Sequence, residues 1–171
     1  MGKIMKVLGL GCAGVIGLAF IALVIIGTEG PETSIYTGTQ IPKKYMTTIQ
    51  SLNLLQPEEQ IRYFYSDALV DIKDGFYFVS DKNLVLYSSE WAEPSVIIPF
   101  GQIESVTAEY SDSEWIDTSV LVTLRSEMEY LFPLSTEKGL DKKFIEVIEN
   151  NIATEVEDEE DSEEPVKAET I

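Results

Sequence analysis

Hydrophobic and polar positions divide the chain into an apolar N-terminal run, a central region of short alternating segments and an acidic C-terminal end. Seven segments between residues 58 and 134 are rich in β-branched and aromatic residues, and turn-forming residues separate them. Two of these segments, GFYFVS and NLVLYS, flank a turn in which Asn83 suits a left-handed conformation. Short strands about ten residues apart predict a mainly β fold, either a sandwich or a small barrel.

A short helix is predicted before the first of these strands. Pro42 suits the first turn of a helix, and Tyr45 and Ile49 follow it at helical spacing. We expect this helix over residues 43–53. It lies within a segment, residues 28–53, whose first half has the Gly, Pro and Thr content of a linker.

A second, amphipathic helix is predicted after the last strand. Thr136 is a suitable N-cap, and Asn150 and Asn151 are suitable as a stop. The apolar positions that share one face of this helix are Leu140, Phe144, Val147, Ile148 and Ile152. Beyond it, residues 153–171 hold nine carboxylates and little apolar content, so we expect a disordered acidic tail.

The N-terminal apolar run, residues 7–27, is 21 positions long and has no charged residue. A helix of that length spans about 30 Å, the thickness of the hydrocarbon core of a bilayer. Lys3 and Lys6 precede the run, whereas Glu29 and Glu32 follow it. The charge bias predicts a single-pass signal-anchor with residues 1–6 in the cytoplasm and the main domain outside the cell membrane, in the periplasm if the source is bacterial.

Three different N-terminal signals fit the run less well than an anchor does. A cleaved signal peptide has a shorter apolar region and a small-residue cleavage site, which the exit VIIGTEGPE lacks. A lipoprotein signal would need a longer apolar stretch before Cys12, and N-myristoylation would need Ser or Thr where Lys6 stands. Cys12 can be a small apolar residue of the helix or a lipidation site, and the sequence leaves both open.

Small residues recur every four positions within the run, at Gly9, Ala13 and Gly17. Such a stripe lets two membrane helices approach closely, which suits helix packing and a homodimer. Gly and Ala are also common in membrane helices in general, so a stripe without a packing role stays open as well.

Composition narrows the function classes. Thirty acidic against 12 basic residues give a net charge of −18, which argues against a nucleic-acid partner because phosphate contacts require Lys and Arg. The chain has no histidine and a single cysteine, which excludes imidazole-based catalysis, an intramolecular disulfide and the usual zinc ligand sets. No phosphate-binding loop or nucleophile motif occurs. We therefore expect no enzyme activity, no cofactor and no specific metal site.

Three stretches carry a resemblance to a known family: LLQPEEQIRYFY, GFYFVSDKNLVLY and IIPFGQIESV. They are similar to the opening strand, the first hairpin and the step between sheets of bacterial pleckstrin-homology-like (PH-like) and GRAM domains. The resemblance covers residues 54–152. It implies a seven-stranded barrel or sandwich closed by the C-terminal helix.

In eukaryotic relatives, the loops between strands 1/2, 3/4 and 6/7 surround the ligand end, and basic residues there bind inositol phosphates. The corresponding loops of this chain would supply Lys73 and Arg125 as bases. Their acids would be Asp67, Asp71, Asp74, Glu90, Glu93 and Glu127. An excess of carboxylates repels anionic headgroups, so phosphoinositide binding is not expected.

Trp91 is the most conspicuous candidate for binding a protein partner, because it lies in a predicted loop between Glu90 and Glu93. Arg125 is a further candidate at the third loop. The alternative that Trp91 folds back over the mouth of the barrel stays open.

Three functions compete on this basis. The favoured one is a membrane-anchored, non-catalytic PH-like interaction or scaffold module with an unidentified protein partner. The second is a module that senses lipid headgroups at the bilayer to which it is tethered. The third is a hydrolase built on two carboxylates, which would need both in one cleft.

Overall fold

The computed structural model describes residues 34–111, 113 and 116–162, and the side chains only as far as residue 153. The described residues form eight strands and two α-helices, α1 (Lys43–Ser51) and α2 (Leu140–Ser162). The strands are β1 (Tyr36–Thr37), β2 (Ile61–Tyr65), β3 (Gly75–Ser80), β4 (Asn83–Ser88), β5 (Ser95–Pro99), β6 (Ile103–Glu109), β7 (Thr118–Leu124) and β8 (Glu129–Leu134). Three short 3₁₀ segments lie at Gly38–Gln40, Phe100–Gln102 and Glu137–Gly139.

The strands form two antiparallel sheets. The first has the order β1-β2-β3-β4-β5 and the second the order β6-β7-β8. This confirms the coarse prediction of a mainly β fold with two sheets and a C-terminal helix, and all seven predicted strands form, as β2–β8. The closed-barrel alternative is wrong for the described part of the chain, where neither sheet closes on itself.

The step between the sheets explains why they stay separate. Pro99 ends β5, the 3₁₀ turn Phe100–Gln102 redirects the chain, and Ile103 begins β6 in the other sheet. Phe100 and Ile103 are both buried. The corner is therefore fixed by apolar side chains on either side of the turn, as well as by a proline that cannot donate to a strand ladder.

Apolar side chains form two separate cores, one on each face of the first sheet. The inner core lies between the two sheets and α2, and it includes Leu84, Val120, Phe132 and Phe144. The predicted stripe of α2 is confirmed, because Phe144 and Ile148 are buried and Leu140, Val147 and Ile152 pack against this core.

The outer core covers the other face of the first sheet. Phe64, Phe76 and Phe78 are fully buried there, beneath Tyr45 of α1 and Tyr36 of β1. The aromatic rings contact one another, with Phe64 and Phe76 having centroids 5.6 Å apart. Residues 34–53, the described part of the segment predicted as a linker and short helix, are thus an integral layer of the fold.

Helix α1 begins and ends close to the predicted positions. Pro42 O accepts hydrogen bonds from the N–H groups of Tyr45 and Met46 at 2.9 and 3.2 Å. The helix ends at Ser51, and Asn53 takes a left-handed conformation with φ 55°. The prediction of a helix over 43–53 is therefore confirmed with an end two residues earlier.

Helix α2 continues past the predicted stop. Asn151 Nδ2 donates to Val147 O at 2.7 Å, so the side chain satisfies a carbonyl of its own helix and does not interrupt it. The helix reaches Ser162, and the prediction of disorder from residue 153 is wrong as far as that residue. Glu, which occupies four of the ten positions 153–162, favours helix intrinsically.

Several predictions fall outside the described residues. They are the cytoplasmic residues 1–6, the transmembrane helix at 7–27 with Gly9, Ala13 and Gly17, and the last part of the tail, 163–171. Among the residues that the structure does describe, no helix combines the length and apolar content that crossing a bilayer requires.

Candidate functional site

Two loops meet at one end of the first sheet. Gly75 at the start of β3 is paired with Ser88 at the end of β4, so the β2–β3 loop (residues 66–74) and the β4–β5 turn (residues 89–94) lie side by side. Ser89 N–H donates to Asp74 O at 3.2 Å and joins them directly. We refer to these two loops as the rim.

Three of the predicted partner-binding residues share the β4–β5 turn of the rim. Trp91 N–H donates to Ser88 O at 3.3 Å, and Glu90 N–H donates to the Ser88 hydroxyl at 3.3 Å. The side chains of Glu90, Trp91 and Glu93 are exposed, with Trp91 at 36% of its possible surface. The turn is thus held by its backbone and presents these side chains outward.

Arg125 lies elsewhere. Its backbone N–H donates to Gln102 O at 2.9 Å, and Gln102 follows β5 at the end of the first sheet where Asn83 pairs with Pro99. That end is opposite to the rim. The resemblance groups three loops together, and the described contacts join only the first two of them. The third loop, the turn after β7, is bonded instead to the step between the sheets.

The rim is strongly acidic. It holds five carboxylates, all on exposed residues, and Lys73 is its single base. The carboxylates belong to Asp67, Asp71, Asp74, Glu90 and Glu93. The sequence assigned two bases and six acids to the three loops, a net charge of −4. The two loops that meet have the same net charge, because Arg125 and Glu127 of the third loop cancel each other.

A shallow depression of about 330 Å³ lies within the rim. Asp67, Asp74 and Glu90 line it, together with Leu69 and Tyr77. All three carboxylates are exposed to solvent, whereas a general acid of a glycosidase is usually held in an apolar surrounding that keeps it protonated. In the described part of the chain, no three His, Cys, Asp or Glu side chains are arranged so that they could hold a metal ion together.

Two buried tyrosines tie the rim and the second sheet to the inner core. The Tyr77 hydroxyl donates to Asp67 Oδ2 at 2.8 Å, and the Tyr65 hydroxyl donates to Asp117 Oδ2 at 3.2 Å. Their ring centroids are 6.4 Å apart. Asp117 immediately precedes β7, so the Tyr65 bond links the two sheets at the same end of the fold as the rim.

Burial raises the pKa of both hydroxyls. For Tyr65 the desolvation is reinforced by the negative charge of Asp117, and for Tyr77 by that of Asp67. Both hydroxyls stay protonated at neutral pH and act as hydrogen-bond donors. These pairs hold the position of the loops and supply no acid or base for catalysis near neutral pH.

Exposed apolar side chains stand beside these pairs. Leu69 and Val70, within the β2–β3 loop, are 80% and 48% exposed, and Ile116, next to Asp117, is 60% exposed. We call these three residues the apolar tip. They were not predicted from the sequence. The sequence feature that could have indicated them is the apolar trio Ala68–Leu69–Val70, which lies between two aspartates in a loop. Apolar residues in such a loop are not expected to be buried.

The chain matches no protein-family model, and no curated protein matches it. Among solved structures, it is similar to a DUF1696 family protein with a pleckstrin-homology domain from Shewanella loihica PV-4, at 12% identity and a TM-score of 0.49. The match covers 70% of this chain and 97% of that one.

Two further solved structures are similar. One is a pleckstrin-homology domain from Shewanella amazonensis SB2B, at 11% identity, covering 64% of this chain and 86% of that one with a TM-score of 0.45. The other is the C-terminal domain of an unknown protein from Leishmania infantum, at 12% identity, covering 64% and 96% with a TM-score of 0.38.

Proposed function

We propose that the chain is a membrane-anchored, PH-like interaction module without catalytic activity, which binds a protein partner through the Trp91 turn. The observation that carries this proposal is the construction of the rim. Two loops are hydrogen-bonded to each other, and they present a partly exposed Trp between carboxylates at one end of the fold.

The chemistry of the rim indicates the class of partner. Five carboxylates against Lys73 favour a basic surface and disfavour an anionic one. Trp is among the residues that most often dominate the energy of protein interfaces, because it buries a large, rigid surface. Backbone bonds already order the turn, so little conformational entropy would be lost on binding.

Anchoring is proposed from the sequence before the fold. Residues 7–27 are apolar and long enough to span a bilayer. The described fold begins at Ser34, so only residues 28–33 separate it from this run. A tether of six residues extends to about 20 Å at most, so the module would work close to the membrane surface.

The two competing functions have weaker support. A sensor of anionic headgroups would need basic residues where the rim has mainly carboxylates. A hydrolase of the glycosidase type would need two carboxylates in a cleft that encloses a sugar ring. The acidic depression is shallow, and its carboxylates are exposed.

Site-specific crosslinking in native membranes tests the proposal with the full-length chain. A photoreactive amino acid at Ala92, which is exposed in the Trp91 turn, is expected to give a discrete protein adduct. The matched position is Leu131, which is exposed on β8 of the second sheet and is expected to give none.

Charge reversal separates recognition from chance proximity. Glu90→Lys with Glu93→Lys is expected to abolish the Ala92 adduct, and Trp91→Ala to weaken it. The matched reversal, Glu104→Lys with Glu129→Lys, changes two exposed carboxylates of the second sheet and is expected to leave the adduct intact. An adduct that survives reversal at the turn, or one that forms with lipid alone, would contradict the proposal.

A further inference from the structure

We infer that the apolar tip, Leu69, Val70 and Ile116, rests in the interfacial zone of the bilayer and so fixes the orientation of the fold on the membrane. The inference rests on the anchoring part of the proposed function and goes beyond it by naming the surface that faces the lipid. Three features support it: the position of the tip, the point where the chain joins the fold, and the charges nearby.

The apolar tip draws its side chains from a loop of each sheet, the β2–β3 loop and the segment just before β7. Leu69 and Val70 follow Asp67, which is bonded to Tyr77, and Ile116 precedes Asp117, which is bonded to Tyr65. Because the two tyrosine rings are neighbours in the inner core, these apolar side chains protrude at the same end of the fold. Apolar side chains that cluster at one end of a fold are typical of an interaction surface.

The N-terminal segment joins the fold at this same end. Tyr36 pairs with Phe64, the residue before Tyr65, so Ser34 lies at the end of β2 that also carries the rim. Lys138 Nζ donates to the Ser34 hydroxyl at 3.0 Å, and Ser34 is buried. The segment that leads to the predicted membrane helix therefore leaves the fold at the end where the tip protrudes.

The tether limits how far this end can stand from the bilayer. Residues 28–33 extend to about 20 Å at most, and a shorter separation results wherever they bend. A tether of this length gives the tip a high effective concentration at the lipid surface. Few apolar contacts are then sufficient to hold the tip at the bilayer. Full burial of one Leu, Val or Ile side chain shifts the equilibrium between the free and the docked tip about tenfold or more.

Charges around the tip determine which lipid surface it suits. Asp67, Asp71 and Asp74 surround the loop that carries Leu69 and Val70, and Lys73 is the only base among them. Contact with the bilayer is therefore apolar, and anionic lipids weaken it. Binding through basic residues of a protein differs, because anionic headgroups strengthen it. We expect docking to be strongest on a zwitterionic surface and, there, nearly independent of salt, because screening acts on charge pairs.

The test uses the full-length chain with Cys12→Ala, which removes the single native cysteine. Leu69→Cys is labelled with an environment-sensitive fluorophore, and Leu131→Cys provides the matched control, since both leucines are largely exposed. Each labelled chain is inserted into nanodiscs of phosphatidylcholine. At position 69 we expect blue-shifted emission and several-fold slower quenching by a water-soluble quencher than at position 131.

A second label position tests whether the tip acts as a unit. With the fluorophore at Ile116→Cys, the substitution Val70→Asp is expected to restore quenching to the level of the Leu131 control. Val70 is partly exposed, and Leu69→Asp, at the more exposed position, provides an independent variant. Equal quenching at 69 and 131 in nanodiscs would overturn the inference, and so would protection that appears only in native membranes, which would assign the tip to a protein.

Insertion itself is recorded separately. If the labelled chain does not insert into nanodiscs at all, the anchoring part of the proposed function fails, and the inference fails with it. If the chain inserts and the Trp91 turn gives its crosslink but the tip stays fully accessible, only the inference fails.

Discussion

The two sheets differ in what covers their outer faces. Every residue of β3 in the first sheet is buried, because the inner core lies on one side of the sheet and the outer core, with α1, lies on the other. Along β7 in the second sheet, buried and partly exposed residues alternate, and Leu131 on the adjacent β8 is 68% exposed. The same strand-forming chemistry thus gives a doubly covered sheet where a preceding segment folds over it and a half-covered sheet where none of the described segments does.

This difference assigns separate roles to the two sheets. The first sheet is the doubly covered centre of the described fold, and its loops form the rim. The second sheet closes the inner core with its buried face and keeps polar residues such as Thr123 on the other. Substitutions on the outer faces are therefore expected to have unequal effects.

The largest expected effect is at Phe76, on the outer face of the first sheet. Phe76→Ala removes a fully buried ring that contacts Phe64, Phe78 and Tyr87, and it is expected to lower the free energy of unfolding by about 3–5 kcal/mol. Leu131→Ala, on the outer face of the second sheet, is expected to change it by less than about 0.5 kcal/mol. Urea denaturation of both variants measures the contrast, and equal losses would refute the unequal coverage of the sheets.

The next effect concerns how the N-terminal segment fits against the first sheet. A Cβ at Gly38 would lie 1.9 Å from the carbonyl oxygen of Ile61, which is backbone and cannot move aside freely. Gly38→Ala is expected to cost about 3 kcal/mol of stability. At Gly139 a Cβ would meet nothing within 4 Å, so Gly139→Ala is expected to cost only the strain of its φ of 63°, about 1 kcal/mol.

Thermal unfolding of these two variants ranks them. If Gly139→Ala lowered the unfolding temperature more than Gly38→Ala, the close approach between the Gly38 turn and β2 would not limit the side chain at position 38 as described.

A smaller effect is expected inside the second sheet. The Thr118 hydroxyl donates to Asp141 Oδ2 at 2.7 Å, and both residues are buried. Among the described residues, Asp141 Oδ1 has no hydrogen-bond partner. Thr118→Val would remove the hydroxyl that donates to this carboxylate and is expected to cost about 2 kcal/mol. Thr123→Val, at a partly exposed position of the same strand, is the control, and a comparable loss there would argue against the Asp141 bond as the cause.

The smallest effect per residue depends on pH and concerns the bonds that link the rim and the second sheet to the core. Burial and the neighbouring carboxylates raise the pKa of Tyr65 and Tyr77 above the usual value of about 10. The unfolded chain loses these protons first, so the stabilisation is complete below about pH 10 and declines as the pH rises further, by up to about 1.4 kcal/mol per pH unit for each tyrosine.

Denaturation curves at pH 8 and pH 11 measure this slope. The double variant Tyr65→Phe/Tyr77→Phe is expected to be less stable at pH 8 and to lose less between the two pH values than the unmodified chain. Tyr130→Phe, whose hydroxyl makes no hydrogen bond within the described residues, is expected to keep the slope. An unchanged slope in the double variant would show that these two tyrosines are not its source.

Much of the fold follows from local patterns. The seven strands, the stripe of α2 and the start of α1 at Lys43 were all predictable, because periodicity and turn residues act over short distances. The strand β1 was not, since it is two residues long and exists only because Tyr36 pairs with Phe64. The extension of α2 was missed for a related reason. Asn151 was expected to end the helix, but its side chain bonds to Val147 O within it.

The first hairpin shows the same limit at its turn. No left-handed residue is needed at Asn83, because the Ser80 hydroxyl accepts the N–H groups of Lys82 and Asn83. Asp81 accepts from Gln60 N–H, a residue 21 positions away. The turn was predictable from its residue types. The bond that Asp81 accepts was not, because it joins two segments that only the fold brings together.

The candidate site was predictable in part. Glu90, Trp91 and Glu93 were found because a Trp between acids in a predicted loop is unusual, and the structure describes them in one exposed turn. Arg125 was grouped with them by resemblance, whereas its backbone bond to Gln102 is at the other end of the first sheet. The tyrosine–aspartate pairs and the apolar tip depend on contacts between distant segments, which no local pattern encodes.

The hydrogen bond between Lys138 and Ser34 has a mechanical consequence. Ser34 stands where the N-terminal segment joins the fold, and Lys138 lies just before α2, which packs against both sheets. A pull on the N-terminal segment would therefore be resisted by α2 as well as by the two residue pairs between β1 and β2. A force applied at Ser34 would be shared across the inner core and would not simply peel away an edge strand.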